Sequence, residues 1–272
     1  MVRLLKADFY KLFRRKAFYI CLLVCGLLAF ITVATNVMIY NFSEKEMLEA
    51  GFSLEELTLG EEMTGFTAMV NITPSNWLIV LGVMISMFVC LDFSSGIIKN
   101  VASKGFKRFE MYLSKYIISI FCVIAFMIFQ LIVVFISATF MSKHGIGEMP
   151  EHYISGLLAT FGINLLIAMS IAAFFTMISF IVRKIGGSIA INLCTISFIG
   201  VIFKFIDGII ENVTNNKVFE LSKYISFSYM DTFRGYDTTV YQSDIATAII
   251  VSICWLIVAT GVGIACFQNR DI

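Results

Sequence analysis

Six long apolar runs, separated by polar stretches of unequal length, set the pattern of the chain. They lie at about residues 17–40, 76–93, 116–140, 154–182, 188–206 and 245–267, the second being the shortest. A helix needs roughly 20 apolar residues to cross about 30 Å of hydrocarbon, and each run reaches or approaches that length. The runs are continuous and do not alternate, which fits helices and not a transmembrane barrel. The pattern predicts an all-α integral membrane protein, residues 1–272 forming a single transmembrane domain of six transmembrane helices. The first run has a basic flank, as a signal peptide would. Its apolar part is too long and no small-residue cleavage site follows, so it reads as an uncleaved span.

Two half-apolar segments stand outside the runs. Over 1–16, MVRLLKADFYKLFRRK, helical spacing gathers Leu5, Phe9, Leu12 and Phe13 on one face, with Lys6, Lys11 and Arg14 toward another. This predicts an amphipathic helix in the membrane interface, with Arg14 and Arg15 at its basic end facing anionic headgroups. The second segment, DFSSGIIKNVASKGFKRFEMYLSKY over 92–116, lies between the second and third runs. As a helix it puts Ile97, Ile98, Val101 and Ala102 on one stripe, away from Lys99, Asn100 and Ser103. Gly105 breaks it, and Phe106 and Phe109 begin another amphipathic turn. Such a stub should bury its apolar stripe, and both the headgroup layer and a partner's groove are open to it.

Charge orients the spans. With six spans both termini share a side. That side collects Arg3, Lys6, Lys11, Arg14, Arg15 and Lys16, then Lys99, Lys104, Lys107, Arg108 and Lys115, then Arg183, Lys184 and Arg270. Only six of the 20 Lys and Arg fall opposite: Lys45, Lys143, Lys204, Lys217, Lys223 and Arg234. The excess predicts both termini in the cytoplasm. The composition agrees with a bilayer as solvent, at 59% hydrophobic residues and a mean hydropathy of +0.89. Outer segments are expected at 41–75, long and acidic with a helix-like stretch, at 141–153, and at 207–244. The last opens on Phe205, Ile206, Asp207 and Gly208 and suggests helices dipping into the outer leaflet.

Candidate chemistry is sparse. The seven cysteines lie in or at the ends of apolar runs without C-x-x-C spacing and read as small apolar core residues. His144 and His152 share one short outer segment, which reads as solvated loop and not as a metal site, so no metal is expected. No G-x-x-x-x-G-K-[ST] phosphate loop is present. Nor is there a serine-nucleophile motif or a pair of carboxylates within the spans, so no catalytic residues are expected. The polar residues within spans, Asn36, Gln130, Asn164 and Asn192, read as helix-joining groups.

One resemblance spans the whole chain. The segment after the second run is similar to the coupling helix in permease subunits of type-2 ATP-binding-cassette (ABC) exporters. An acidic-aromatic exit, Asp92-Phe93, is followed by Gly96-Ile97-Ile98-Lys99-Asn100, then Gly105, the pair Lys107-Arg108, and Lys115 opening the next span. LLKADFYKLFRRK and FQNRDI also resemble the ends of that family. Asp8 stands where Glu is commoner, and KYISF lacks a proline often found after the corresponding "KY". The resemblance implies a permease that is not itself an enzyme and pairs with a second permease subunit, identical or not. It implies docking of two copies of a separate ABC ATPase, which hold the ATP and Mg. Gly96, Ile97, Ile98, Lys99, Val101, Lys104, Gly105, Phe106, Lys107 and Arg108 would carry the docking. The Phe- and Met-rich spans suit export of an amphipathic peptide such as an antimicrobial peptide, a lipid or a hydrophobic drug. Membrane lipids are expected partners and nucleic acid is not; the setting implied is a bacterial cell membrane. The alternative is an ATPase-independent transporter, channel or membrane scaffold, although repeated halves and buried charges on the spans, usual in secondary transporters, are not evident.

Overall fold

A computed structural model describes residues 1–49, 64–71, 76–142, 145–149, 153–214, 221–229, 233 and 242–269. His144, His152, Arg270 and much of the acidic 41–75 and of the 207–244 segments lie outside them. Every element among the described residues is helical. In chain order they are α1 (Val2–Arg14), α2 (Lys16–Glu49), α3 (Gly65–Asn71), α4 (Asn76–Ser94), α5 (Ile97–Ser103) and α6 (Arg108–Met141). Then come α7 (Tyr153–Val182), α8 (Ile185–Thr214), two 3₁₀ turns at Leu221–Tyr224 and Ser226–Tyr229, and α9 (Gln242–Gln268). Six of these helices, α2, α4, α6, α7, α8 and α9, contain stretches long and apolar enough to cross a bilayer. The chain is an all-helical, multi-pass membrane protein.

The core forms around α7, which packs against α4, α6, α8 and α9. Ile167, Ala168, Ile171, Ala172, Ala173 and Phe175 of α7 are wholly buried, as are Leu81 and Val89 of α4 and Ile118, Val123 and Phe126 of α6. By contrast α8 has only Ser188 and Asn192 buried among its described residues. Along α2, α8 and α9 large apolar side chains such as Leu23, Phe30, Phe198, Val201 and Ile257 are exposed. In water so much apolar surface would be costly, whereas lipid accepts it freely. Hydroxyls within the spans return their hydrogen bonds to the carbonyl one turn back, as Ser86 does to Gly82 and Thr176 to Ala172. These polar side chains therefore need no water.

Two element boundaries stand out against the sequence expectation. The third long helix begins at Arg108, well before residue 116, because Met111, Tyr112, Ser114 and Lys115 are buried against the rest of the bundle. Its first turns look polar in sequence only because their ion partners lie elsewhere in the chain. The fifth continues past 206 to Thr214, so Asp207 and Gly208 belong to α8 and do not open a separate segment. Asp207 Oδ1 instead accepts a hydrogen bond from the Leu221 N–H at 2.6 Å and anchors the first 3₁₀ turn.

Within the last expected outer segment, the two 3₁₀ turns pack against α7 and α9. Ser226 is buried, its hydroxyl 2.5 Å from that of Ser170 in α7 and 3.2 Å from that of Ser252 in α9. Ser170 lies roughly 25 Å along α7 from Tyr153 at the helical rise per residue. Trp255 donates to the Tyr224 carbonyl and Asn164 to that of Phe233. These hydrogen bonds surround the 3₁₀ turns with protein.

The four amides behave differently from one another. Asn192 joins α8 to Ser86 of α4, and Asn164 joins α7 to the 3₁₀ region. Among the described residues, Asn36 donates only to the Thr32 carbonyl of its own helix. The buried Gln130 Oε1 meets no hydrogen-bond donor among the described residues.

Candidate functional site

The charged residues flanking the second and third spans converge on one buried ion network. Asp92 stands in the last turn of α4, Lys115 two turns into α6, and Asp8 and Lys11 in α1, while Arg15 is the hinge between α1 and α2. Lys115 Nζ lies 2.9 Å from Asp8 Oδ1 and 2.5 Å from Asp92 Oδ2. Arg15 Nη2 lies 2.8 Å from Asp92 Oδ1, and Lys11 Nζ 3.3 Å from Asp92 Oδ2. The Ser114 hydroxyl donates to Asp8 Oδ2 at 2.7 Å. The face of Phe88 packs against two of these cations, Lys115 at 4.2 Å and Arg15 at 5.4 Å from the ring centroid.

Burial makes these pairs matter. Asp8 and Asp92 are each 1% exposed. An isolated carboxylate at such a site would cost several kcal/mol in lost hydration. Here every carboxylate oxygen has a cation or hydroxyl in reach, and the three cations outnumber the two acids. The network fastens together α1, the end of α4 and the start of α6. Those are the two helices that flank α5 and the N-terminal helix beside them.

Sharp backbone turns place α5 over this network. Gly96 ends α4 in the left-handed region (φ 68), and Gly105 ends α5 in the same way (φ 83). Neither has any side chain or backbone within 4 Å of where a Cβ would sit, so the demand on these glycines comes from backbone conformation and not from packing. Between them α5 turns Ile98, 6% exposed, onto the bundle, with Val101, Ala102 and Phe106 half-buried against the same core. A space of only about 20 Å³ separates Ile97, Ile98 and Val101 from Asp8, Asp92 and Lys115 beneath. The short helix is a cover on the ion network.

This geometry redistributes the residues expected to dock a partner. Lys99, Lys104, Gly105 and Lys107 are exposed, together with Asn100 and Ser103. Ile98 is core, while Ile97, Val101 and Phe106 are half-buried and line or pack against the protein's own bundle. The stripe expected to fill a partner's groove is thus largely taken up by the chain itself, because Leu4, Met111 and Phe180 line an apolar wall beside the ion network beneath it. Arg108 is half-buried and donates to the carbonyls of Phe267 (3.3 Å) and Gln268 (2.6 Å), at the negative end of α9. It ties the start of α6 to the last span.

The residues expected in the membrane interface separate in the same way. Phe13 and Arg14 are exposed and Leu5 and Phe9 half-buried, but Leu12 is wholly buried and Arg15 is held by Asp92. The buried face of α1 is Leu4, Asp8 and Leu12, one turn apart. Lys11 turns toward the network and not toward headgroups. Phe9 and Phe13 meet Phe121 of α6 edge-on at 5.1 and 5.7 Å between ring centroids. Of the cysteines, Cys21, Cys25, Cys90 and Cys122 are buried as expected, while Cys194 and Cys254 are exposed on α8 and α9 and so are not core. Among the described residues no group of three or more His, Cys, Asp or Glu is placed to hold a metal ion.

Residues 27–272 match the family DUF2705, described as a protein of unknown function. The chain belongs to the DUF2705 family. The DUF2705 match includes Asp92, α5 and Lys115 but begins after α1 and Arg15. No curated protein matches the chain.

Residue by residue, the sequence singles out Asp8, Asp92 and Lys115, but as separate motif positions. That they meet was legible in one respect only. Ionisable groups at the margins of apolar runs must find partners or water, and Asp8 and Asp92 had several cations on the basic side to choose from.

Proposed function

We propose that the chain is the permease subunit of an ATP-driven transporter of the ABC class, similar to the type-2 exporters. What carries this reading is the mounting of α5: a short helix with a basic outer face, lying over the Asp92–Lys115 pair that joins the two spans flanking it to each other and to α1. In this reading α1 rests in the membrane interface, and α5 is the coupling helix. Lys99, Lys104 and Lys107 meet acidic side chains of an ATPase subunit, and two such subunits supply ATP and Mg. Closure of the ATPase pair pushes α5, and the ion network passes the push to the second and third spans together. Two permease chains pair to form the path. Both termini are cytoplasmic and the setting is a bacterial cell membrane, with an amphipathic peptide, a lipid or a hydrophobic drug as passenger.

The test is co-purification with a co-expressed ATPase subunit in mild detergent. Substitution of Ile98 would disturb the core, so the informative variant is Lys99→Glu/Lys104→Glu/Lys107→Glu on the exposed face. We expect it to insert and elute like the parent while losing the ATPase and ATP-driven transport. ATPase retained at parental stoichiometry would refute docking through this face.

A further inference from the structure

Of the six spanning helices α8 is the least buried, and the only side chains it buries among the described residues are polar, Ser188 and Asn192. Both meet Ser86 of α4: the Ser188 hydroxyl lies 3.0 Å and the Asn192 Nδ2 2.8 Å from Ser86 Oγ. Ser188 also lies 2.8 Å from the Ser179 hydroxyl of α7, and Cys90 of α4 donates from Sγ to the Ser179 carbonyl at 3.6 Å. All five side chains are 0% exposed. Yet Asn192 Oδ1 meets no hydrogen-bond donor among the described residues.

Helical spacing sets Phe93, Cys90 and Ser86 along one stripe of α4, and Ile185, Ser188 and Asn192 along one stripe of α8. Phe93 and Ile185 line a cavity of about 510 Å³ between the α4–α5 elbow and the α7–α8 turn. The polar seam therefore starts one helical turn inside that cavity and reaches about 10 Å along α8 from Ile185. The neighbouring spans are fastened otherwise. Phe93, Tyr112, Phe180 and Phe267 join α4, α6, α7 and α9 at this end, with ring centroids 4.7–6.1 Å apart. That knot is not shared by α8, whose first aromatic residue is Phe198.

We propose that this seam is a gate: α8 parts from α4 and α7 along it, and Ser86, Ser179, Ser188 and Asn192 then line a hydrated crevice that extends the cavity into the membrane. Hydrogen bonds between spans contribute little each, and water replaces them in the open form. An apolar interface would gain nothing from that exchange. Here Asn192 Oδ1 acquires a donor that it lacks while the seam is closed. In the transport reading, and resting on it, the polar end of the passenger enters by this crevice.

The test uses the purified chain alone in lipid nanodiscs, without any ATPase, so the gate and the docking of an ATPase fail separately. A positively charged methanethiosulfonate reacts with thiols from water and not from lipid, and peptide mass mapping assigns the label. We expect Cys90 to be modified while Cys122, comparably buried in α6, is spared. Ser86→Ala removes the hub of both bonds to α8 and should quicken Cys90 modification roughly sevenfold. Asn192→Leu removes the oxygen that favours water and should slow it roughly fivefold. A general loosening of the packing would quicken both, so the opposite signs mark the gate. Either variant is decisive if the other does not fold. Cys90 protected as completely as Cys122, Ser86→Ala modified at the parental rate, or Asn192→Leu modified faster than the parent overturns the proposal.

Discussion

Replacing Asp92 with Asn tests whether the ion network holds the basic end of the bundle together. The change keeps the shape and removes the charge that Arg15, Lys11 and Lys115 share. Breaking a buried ion pair by removing one partner costs about 3–5 kcal/mol. The lower end applies here for two reasons. Lys115 keeps Asp8 at 2.9 Å, and the side chains of Lys11 and Arg15 are 27% and 23% exposed, so water can take up part of their charge. A loss of about 3 kcal/mol corresponds to a fall of roughly 5–10 °C in apparent melting temperature for a chain of this size. The assay is heating in detergent followed by fluorescence-detected gel filtration, at one fixed heating rate because such unfolding is irreversible. The diagnostic comparison is Asp92→Asn/Lys11→Gln, which restores the parental excess of one positive charge. We expect the double variant to recover about 1 kcal/mol relative to Asp92→Asn, a sign of coupling between the two sites. Strictly additive losses, or a melting temperature unchanged in Asp92→Asn, would show that the network is a bystander.

Two further expectations concern the backbone devices around the site. Gly96→Ala forces an L side chain to φ 68 and should cost about 1–2 kcal/mol; faster proteolysis within 97–105, with the spans intact, is the readout. Parental cleavage rates would mean that α5 is not held by that turn. Ser226→Val removes the hydroxyl shared by Ser170 and Ser252 and should cost about 1–2 kcal/mol. Its readout is faster amide exchange across 221–229, and unchanged exchange would deny these hydrogen bonds a holding role.

The six spans were legible because apolar run length reports directly on bilayer thickness, with no need for tertiary detail. The ends were less so. Residues 108–115 read as a polar approach to the third span because Lys115 and Ser114 look solvated until Asp8, more than a hundred positions earlier, is placed beside them. The stripe on 97–102 was correctly found, yet periodicity states only that a face will be buried and not against what. Ile98 found its cover within the chain. The 3₁₀ turns at 221–229 carry no periodic signal at all, since their depth depends on serines contributed by three separate segments.

The ion network also has a bearing on how the protein is made. Asp8 and Arg15 leave the ribosome long before Asp92 and Lys115 exist, so neither early charge has its eventual partner while the first span is being inserted. The N-terminal helix can therefore seat only after the third span has begun to enter the bilayer. Assembly of this corner waits on the third span, and the first span is committed to the membrane before its own fastening has been synthesised.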